Sequence, residues 1–240
     1  MSSSIQETYE FPSKGKLEGI PKSFTIRSMT TMEEKKLLGV SNLPFKLLRD
    51  VINACIVEPK GFDCYDLPLG DFQFIYHKLR VVTYGNIYEI LQVCPYCLKV
   101  SKLQIDLDAL PVIEFNPTQL DKLNITLPRS GDKIKAKMMT PRILDEIASE
   151  VNDATAKGQS KAESEYMWSL IKLIDTVNGE KLNELQVRKY VQEMQALDSR
   201  TLNKAVSSIG FGVQTENIVS QCTNCGKTFP HSLPINKEFL

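Results

Sequence analysis

Two short cysteine motifs, far apart in the chain, constrain its fold more than any other feature. They are Cys94-Pro-Tyr-Cys97 and Cys222-Thr-Asn-Cys225. Gly226 follows the second motif directly, where a tight metal-holding turn often needs a residue that tolerates a positive φ. Four thiolates in two Cys-x-x-Cys turns can complete a tetrahedral zinc site. One ion would then tie the middle of the chain to its C-terminal part, with residues 98–221 inserted between the two halves of the site. We therefore predict a structural zinc site formed by Cys94, Cys97, Cys222 and Cys225.

Two disulfides, or two independent redox turns, are the alternatives to a shared metal. The first 22 residues are polar and show no signal segment. No stretch approaches the ~18 consecutive apolar residues of a membrane span. We thus expect a soluble intracellular protein without a membrane partner, in which cysteines stay reduced and favour metal over disulfides. Cys55 and Cys64 fit no motif, and we interpret them as core thiols.

The charge balance argues against a general electrostatic partner. Lysine plus arginine and aspartate plus glutamate each number 29, so the 240-residue chain has no net charge to attract nucleic acid or acidic membranes. A hydrophobic fraction of 42% is sufficient for a real core. The length allows one large domain or two small ones. Protein surfaces are the partners that this composition favours.

The N-terminal part is predicted to be an extended arm followed by helices. Proline and glycine interrupt any periodicity over residues 1–23. Thr30 or Thr31 can cap the first helix, and apolar residues at helical spacing mark the others. The predicted helices run from Met32 to Gly39, onward from Pro44, and from Asp71 to Val82.

Two hairpins are predicted in the middle of the chain. Residues 88–93 and 98–107 flank the first cysteine motif, and apolar residues alternate with polar ones in the second of these segments. This pattern is typical of a zinc-knuckle hairpin. A second hairpin is expected at residues 124–137, because residues 128–132 supply turn-forming side chains.

The insertion is then predicted to become helical. Thr140-Pro141 can start a helix, residues 152–162 are expected to form a flexible loop, and the next helix is expected to include Ile174. Two more helices follow, the last ending at Gly210. The predicted fold class is therefore α+β: a zinc-ribbon-like hairpin region closed by the four cysteines, with N-terminal helices and an inserted small helical bundle. Its units would be an arm (1–23), a helical and zinc-ribbon domain (24–123 and 212–240), and an insert (124–211).

The sequence contains no recognisable catalytic motif. A site of four cysteines leaves no open coordination position on zinc, and neither a zinc-deaminase signature nor a phosphate-binding glycine motif occurs. We expect no enzymatic activity. His77 is interpreted as a hydrogen-bonded packing residue, and His231 is an alternative ligand in place of one cysteine. Asp145 and Glu146 are expected on a solvated helix face.

A nucleic-acid function is the alternative that the residues leave open. Lys133, Lys135 and Lys137 would share one face of a strand and could contact phosphates. An ordinary exposed strand face fits them equally well, and no aromatic residue for base stacking lies beside them. A zinc-ribbon factor associated with nucleic acid or transcription is therefore kept as the second hypothesis, although nucleic acid is not the expected partner.

The C-terminal motif extends into a longer pattern that resembles a known family. From Cys222 the chain reads Cys-x-x-Cys-Gly-Lys-x-Phe-Pro-x-x-Leu-Pro-Ile-Asn-x-x-Phe. Together with the mid-chain cysteine hairpin and the helical insert, this resembles the baseplate hub family of contractile-tailed phages, over most of the chain from about Phe24. The matching positions are Cys94, Cys97, Cys222, Cys225, Gly226, Phe229, Leu233, Pro234, Ile235, Asn236 and Phe239.

The resemblance implies a structural or chaperone-like assembly protein. Its partners would be phage tail proteins, namely hub, tape-measure or baseplate subunits. Its location would be the tail baseplate of the virion, or the host cytoplasm during assembly. The implied mechanism is scaffolding, with zinc holding the hairpin and the C-terminal segment together. The apolar C-terminal segment would either pack on the protein itself or dock on a partner.

Overall fold

The N-terminal residues form the edge of a small antiparallel sheet. The computed structural model describes residues 5–39, 41–233 and 239. Strand β1 (Gln6–Glu10) pairs with β2 (Ser23–Arg27), which pairs with β3 (Ile56–Glu58). Phe11 follows β1 and is fully buried, with its ring centroid 4.5 Å from that of Phe24. These residues are extended and form part of the sheet and of the core; the assignment of residues 1–23 as a separate arm stays a prediction, and residues 1–4 lie outside the described residues.

Three helices complete the first hydrophobic cluster. They are α1 (Thr31–Leu37), α2 (Pro44–Cys55) and α3 (Leu69–Tyr84). Thr30 caps α1 in a capping box with Glu33. Helix α3 crosses the cluster and buries Phe72, Ile75 and Leu79 within it. Burial of apolar side chains from every element of this region makes it one core.

Two longer hairpins and a short strand pair follow this core. Their strands are β4 (Ile87–Val93), β5 (Val100–Asp106), β6 (Val112–Ile113), β10 (Gly212–Val213), β11 (Ile218–Gln221) and β12 (Thr228–His231). Strand β4 pairs with β5 and β11 with β12, both antiparallel, and β6 pairs with β10. The predicted hairpin around the first cysteine motif is present. The pairing of β6 with β10 brings the chain back beside the first core after the insert.

The insert contains a three-stranded sheet as well as helices. Its strands are β7 (Asn124–Thr126), β8 (Lys133–Ala136) and β9 (Ile174–Val177), in the order β7-β8-β9. The predicted hairpin corresponds to β7 and β8. The placement of Ile174 in a helix was wrong: its short apolar segment extends the sheet, where Ile174 and Val177 are buried against β8.

The insert also contains four helices. They are α4 (Pro141–Ala156), α5 (Lys161–Leu173), α6 (Glu184–Glu193) and α7 (Ala196–Ser207). The loop expected at 152–162 is shorter, because Val151 and Ala154 continue the buried stripe of α4. The last helix ends at Ser207 rather than Gly210. A second hydrophobic cluster joins this sheet to α5, α6 and α7. The exact division of the chain into units at 123/124 and 211/212 stays a prediction.

The segment after α7 packs closely against α3. A Cβ atom at Gly70 would lie 2.5 Å from the carbonyl oxygen of Phe211, and one at Gly212 would lie 2.6 Å from the carbonyl oxygen of Gly70. Only residues without a side chain allow the two backbones to approach this closely. Two adjacent glycine contacts therefore fix where the chain re-enters the first core.

The C-terminal part also packs inside the protein. Phe229, Leu233 and Phe239 are all buried. The ring of Phe239 lies parallel to that of His77, and its centroid lies 5.1 Å from that of Tyr88. Pro234, Ile235, Asn236 and Leu240 lie outside the described residues. Among the described helices, none is both long and apolar enough to cross a membrane.

The architecture is α+β, as predicted, with the four cysteines of the two motifs close together.

Candidate metal centre

The four cysteines meet where the ends of two hairpins face each other. The first cysteine turn (residues 94–99) joins β4 to β5, and the second cysteine turn (residues 222–227) joins β11 to β12. All four sulfur atoms lie within 4.8 Å of one another. The Sγ atoms of Cys94 and Cys225 are 3.8 Å apart, as are those of Cys97 and Cys222. The tertiary fold therefore brings together ligand atoms that the sequence separates widely.

These separations fit a tetrahedral metal ion. Four sulfurs about 2.3 Å from a central zinc would lie about 3.8 Å from each other, whereas a disulfide requires about 2.05 Å. All six cysteines are free thiols. The donor set suits zinc, since four soft thiolates in tetrahedral geometry are its structural coordination. The geometry is compatible with a metal ion, and its identity as zinc remains a prediction.

The two cysteine turns have the same backbone hydrogen bonds. The N–H of Leu98 donates to the carbonyl of Cys94 at 2.9 Å, and the N–H of Gly226 donates to the carbonyl of Cys222 at 3.0 Å. In each turn the N–H of the first cysteine donates back across the hairpin. The expectation that Gly226 needs a positive φ is confirmed, at 72°. Leu98 occupies the matching position with a φ of 59°.

Polar contacts tie the two turns together independently of a metal. Ser101 is fully buried; its hydroxyl lies 2.9 Å from the hydroxyl of Thr223 and accepts a hydrogen bond from the Thr223 N–H. The Asn224 side-chain amide donates to the carbonyl of Val100 at 2.9 Å. Ser101, Thr223 and Asn224 are not metal ligands and were not predicted from the sequence. Ser101 could have been found from the sequence, because it lies on the inward face of a strand in which apolar and polar residues alternate.

The cluster perturbs the ionisation of its own thiols. Burial acts to raise the pKa of Cys222, but hydrogen bonds from the backbone N–H groups of Asn224 and Cys225, together with those of the neighbouring thiols, lower it to about 6. The N–H of Lys227 acts to lower the pKa of Cys225, but burial and the contacts with the other three thiols raise it to about 11. A thiol must lose its proton to bind a metal ion, and the lowered pKa of Cys222 favours that step.

The other thiols and the two histidines lie away from this centre. Burial raises the pKa of Cys55 to about 12 and also raises that of Cys64, so both are protonated core residues, as interpreted from the sequence. His231 lies 2.8 Å from the Ser220 hydroxyl rather than among the ligands. His77 is buried in α3 and packs with its ring stacked on that of Phe239. The hydrogen bond expected for its ring stays a prediction.

One cleft beside the insert carries no chemistry of its own. It has a volume of about 380 Å³ and lies between Pro68, Met138, Ile209 and Phe211. Its lining contains no ionisable side chain. General acid–base or nucleophilic catalysis requires such groups within reach of a substrate. The cleft gives no support to an enzymatic function.

The fold and the cysteine cluster define a class of α+β protein in which two hairpins, far apart in sequence, face each other at four cysteines that could hold a metal ion. The family of the T4 bacteriophage base plate protein matches residues 4–240, and the chain belongs to this family. Membership places it among the structural and assembly proteins of the phage tail, and its location in the virion tail. Neither the curated proteins nor the solved structures include a significant match.

Proposed function

We propose that this protein is a structural or assembly component of the baseplate hub, without catalytic activity, and that a zinc ion acts as its internal clasp. The family match over residues 4–240 supports a role in the baseplate. The proposed zinc ion is supported by the clustering of Cys94, Cys97, Cys222 and Cys225. The hub assignment goes beyond the family and rests on the C-terminal motif pattern.

The clasp acts between two parts of the chain that the insert separates. Zinc binding to four cysteines contributes on the order of 10 kcal/mol to the folding of small zinc domains. Here that free energy would hold the β4–β5 hairpin to the β11–β12 hairpin. Since β10 and Phe239 pack on the first core, the clasp also fixes the return of the chain from the insert. The helical insert would then present a fixed surface to neighbouring tail subunits.

The proposed partners are other tail proteins: hub, tape-measure or baseplate subunits. The C-terminal residues Phe229, Leu233 and Phe239 are buried in the protein itself, which favours internal packing over docking for these side chains. Partner contacts would therefore use other surfaces. The same protein would be found in the host cytoplasm before it joins the baseplate.

The proposed function can be tested in infected cells. Phage lacking this protein would be complemented with a tagged wild-type chain or with Cys222→Ser, and tail intermediates would be separated by sedimentation. We expect the wild type to sediment with baseplate or hub intermediates and to contain one zinc per chain, and the variant to lose both properties. Cys55→Ala serves as the control, since it removes a thiol outside the cluster. A variant that stays folded, metal-free and competent in assembly would contradict the clasp.

Purified virions distinguish a resident subunit from a transient chaperone. Tagged protein that remains in intact particles would indicate a hub subunit. Tagged protein that is present in assembly intermediates and absent from virions would indicate an assembly factor. Co-purification with neither would contradict the hub proposal.

A second candidate function, association with nucleic acid, is favoured by one observation. Lys133 and Lys135 are exposed on β8, while the alternate residues Ile134 and Ala136 are buried. Lys135 has Asp175 at 3.8 Å, which offsets part of its charge. Retention on a DNA column that falls steeply with salt, and that is lost in Lys133→Gln/Lys135→Gln, would support this alternative.

A further inference from the structure

The outer face of the β4–β5 hairpin is apolar where it reaches the first cysteine turn. Strand residues alternate between two faces, and Ser101, Leu103 and Ile105 point inward and are buried. The opposite face is exposed. Near the cysteines it carries five large apolar side chains, which we call the turn surface: Leu91, Val93, Tyr96, Leu98 and Val100.

The apolar residues of this face are concentrated at one end. Val93 and Val100 are directly opposite each other in the ladder. Farther from the cysteines the same face carries Glu89 and Asp106, and Ile87 is its exposed apolar residue there. The solvated face of an antiparallel sheet is usually polar. Exposed apolar groups gathered in one patch are typical of an interaction site.

Leu98 stands where the fold favours a glycine. Its counterpart in the second cysteine turn, with the same hydrogen bond to the first cysteine, is Gly226. Both have a positive φ, which is strained for a bulky side chain and free for glycine. The Leu98 side chain is also 77% exposed, so it contributes little to packing. Strained residues of this kind cluster at functional sites.

The surroundings of the turn surface are cationic. Lys99 and Lys227 are exposed at its border, and the Lys227 amine lies 4.9 Å from the centre of the Tyr96 ring. Neither lysine has an ion-pair partner among the described residues, whereas Lys102 is paired with Glu89. Residues 93–101 and 221–229 contain no acidic residue. A complementary partner would therefore have an apolar centre and carboxylates at its rim.

We propose that the turn surface docks a segment of another tail protein whose apolar centre covers Leu98, Leu91 and Val93 and whose acidic rim faces Lys99 and Lys227. This inference rests on the proposed function, because a tail assembly supplies the partner. The cysteine centre would then have a second role, because it would hold the exposed Leu98 side chain in a fixed position for binding. A rigid, preorganised contact loses little conformational freedom on binding.

The test uses tail assembly intermediates purified from infected cells that lack this chain. Binding of the full-length protein to them is measured by co-sedimentation. Leu98→Asn is the key variant, because asparagine tolerates a positive φ and removes the apolar contact. We expect its melting temperature to stay within about 2 °C of the wild type or to rise, and its affinity to fall about tenfold or more. Leu38→Asn, at an 81% exposed position just after α1 and outside the insert, is the matched control and should bind as the wild type.

The charged rim is tested separately. Lys99→Gln/Lys227→Gln should bind more weakly than the wild type at low salt, and the difference should shrink as salt is raised. If this double variant binds as tightly as the wild type, the proposed acidic rim of the partner is wrong. If Leu98→Asn binds as tightly as the wild type, the proposed docking surface is wrong. Failure of the wild type itself to bind would instead contradict the proposed function.

The same variants can also reveal two other binding partners of the turn surface. Self-association in sedimentation velocity that Leu98→Asn abolishes would identify a second copy of this chain and overturn the proposal. Retention of the wild type on vesicles containing anionic lipid, lost in the same variant, would identify a membrane surface and overturn it as well.

Discussion

The carboxylate of Asp145 accepts a hydrogen bond of 2.6 Å from the backbone N–H of Lys46, nearly a hundred residues earlier in the chain. It also accepts one from the N–H of Phe45 and one from the Tyr65 hydroxyl. Helix α2 has no capping side chain of its own, since its N-cap residue is Leu43. Asp145 on α4 therefore caps α2 from the insert and couples two regions that are distant in sequence.

We expect Asp145→Ala to destabilise the protein by about 2–4 kcal/mol. Two N–H groups at a helix start and one largely buried hydroxyl would lose their acceptor, and the negative charge that suits a helix N-terminus would be removed. Urea unfolding at neutral pH measures the change. Glu146→Ala is the control, because Glu146 is the exposed neighbour and should cost less than about 1 kcal/mol. Equal effects of the two substitutions would contradict the capping role.

The cysteine centre should be stoichiometric and stabilising. We expect one zinc per wild-type chain by elemental analysis, and a marked fall in melting temperature when a chelator removes it, because metal binding and folding are coupled. Cys222→Ser should contain little zinc and should no longer respond to the chelator. Cys55→Ala should retain the full metal content, since that thiol is buried beside Glu33 and Arg27. Full zinc content in Cys222→Ser would argue against the four-cysteine site.

Asp71 should make stability depend on pH. It is fully buried, accepts a hydrogen bond from the Ser13 N–H, and its other oxygen has no hydrogen-bond partner among the described residues. Burial raises the pKa of this carboxyl to about 6, against about 3.9 in an unfolded chain. Because the folded state binds the proton more tightly, the contribution is fully present below about pH 4 and is lost as pH rises through about 6.

The corresponding variant is Asp71→Asn, which keeps an oxygen for Ser13 and cannot ionise. We expect it to match the wild type near pH 3.5 and to be more stable by up to about 3 kcal/mol at pH 7.5. Denaturant unfolding at a series of pH values provides the comparison, with Asp153→Asn as the control for a change of charge at an exposed position. A difference between Asp71→Asn and wild type that stays constant with pH would show that Asp71 is ionised in the folded protein throughout this range.

The glycine contact between α3 and β10 should tolerate no side chain. Gly70→Ala would place a Cβ 2.5 Å from the Phe211 carbonyl oxygen, so that α3 or β10 must shift, and we expect a cost of about 1–3 kcal/mol. Gly210→Ala is the matched control, since a Cβ there meets nothing within 4 Å and φ is not positive. Thermal unfolding of both variants compares them directly. Similar melting temperatures would mean that this approach of the two backbones does not matter for stability.

The sequence predicted the local features well where one chemical rule decides the outcome. Thr30 caps α1, Gly226 takes a positive φ, and alternation located β5, because each depends on neighbours in the chain. The errors arose where distant contacts prevail. Ile174 joined a strand because β8 was available to pair with it, and Asp145 is buried by α2 rather than solvated. His77 stacks on a residue near the other end of the chain, a contact that no local pattern predicts.

What the sequence determined by itself was the set of candidate ligands and the turns that carry them. Thiol chemistry and the Cys-x-x-Cys spacing are local properties, and they suffice to predict two metal-binding half-sites. Only the tertiary structure decided that the halves meet. That outcome depends on the burial of Phe229 beside Cys94, on the hydrogen bonds between Ser101 and Thr223, and on the glycine contact that returns the chain from the insert. These interactions join residues separated by more than a hundred positions, and no local pattern encodes them.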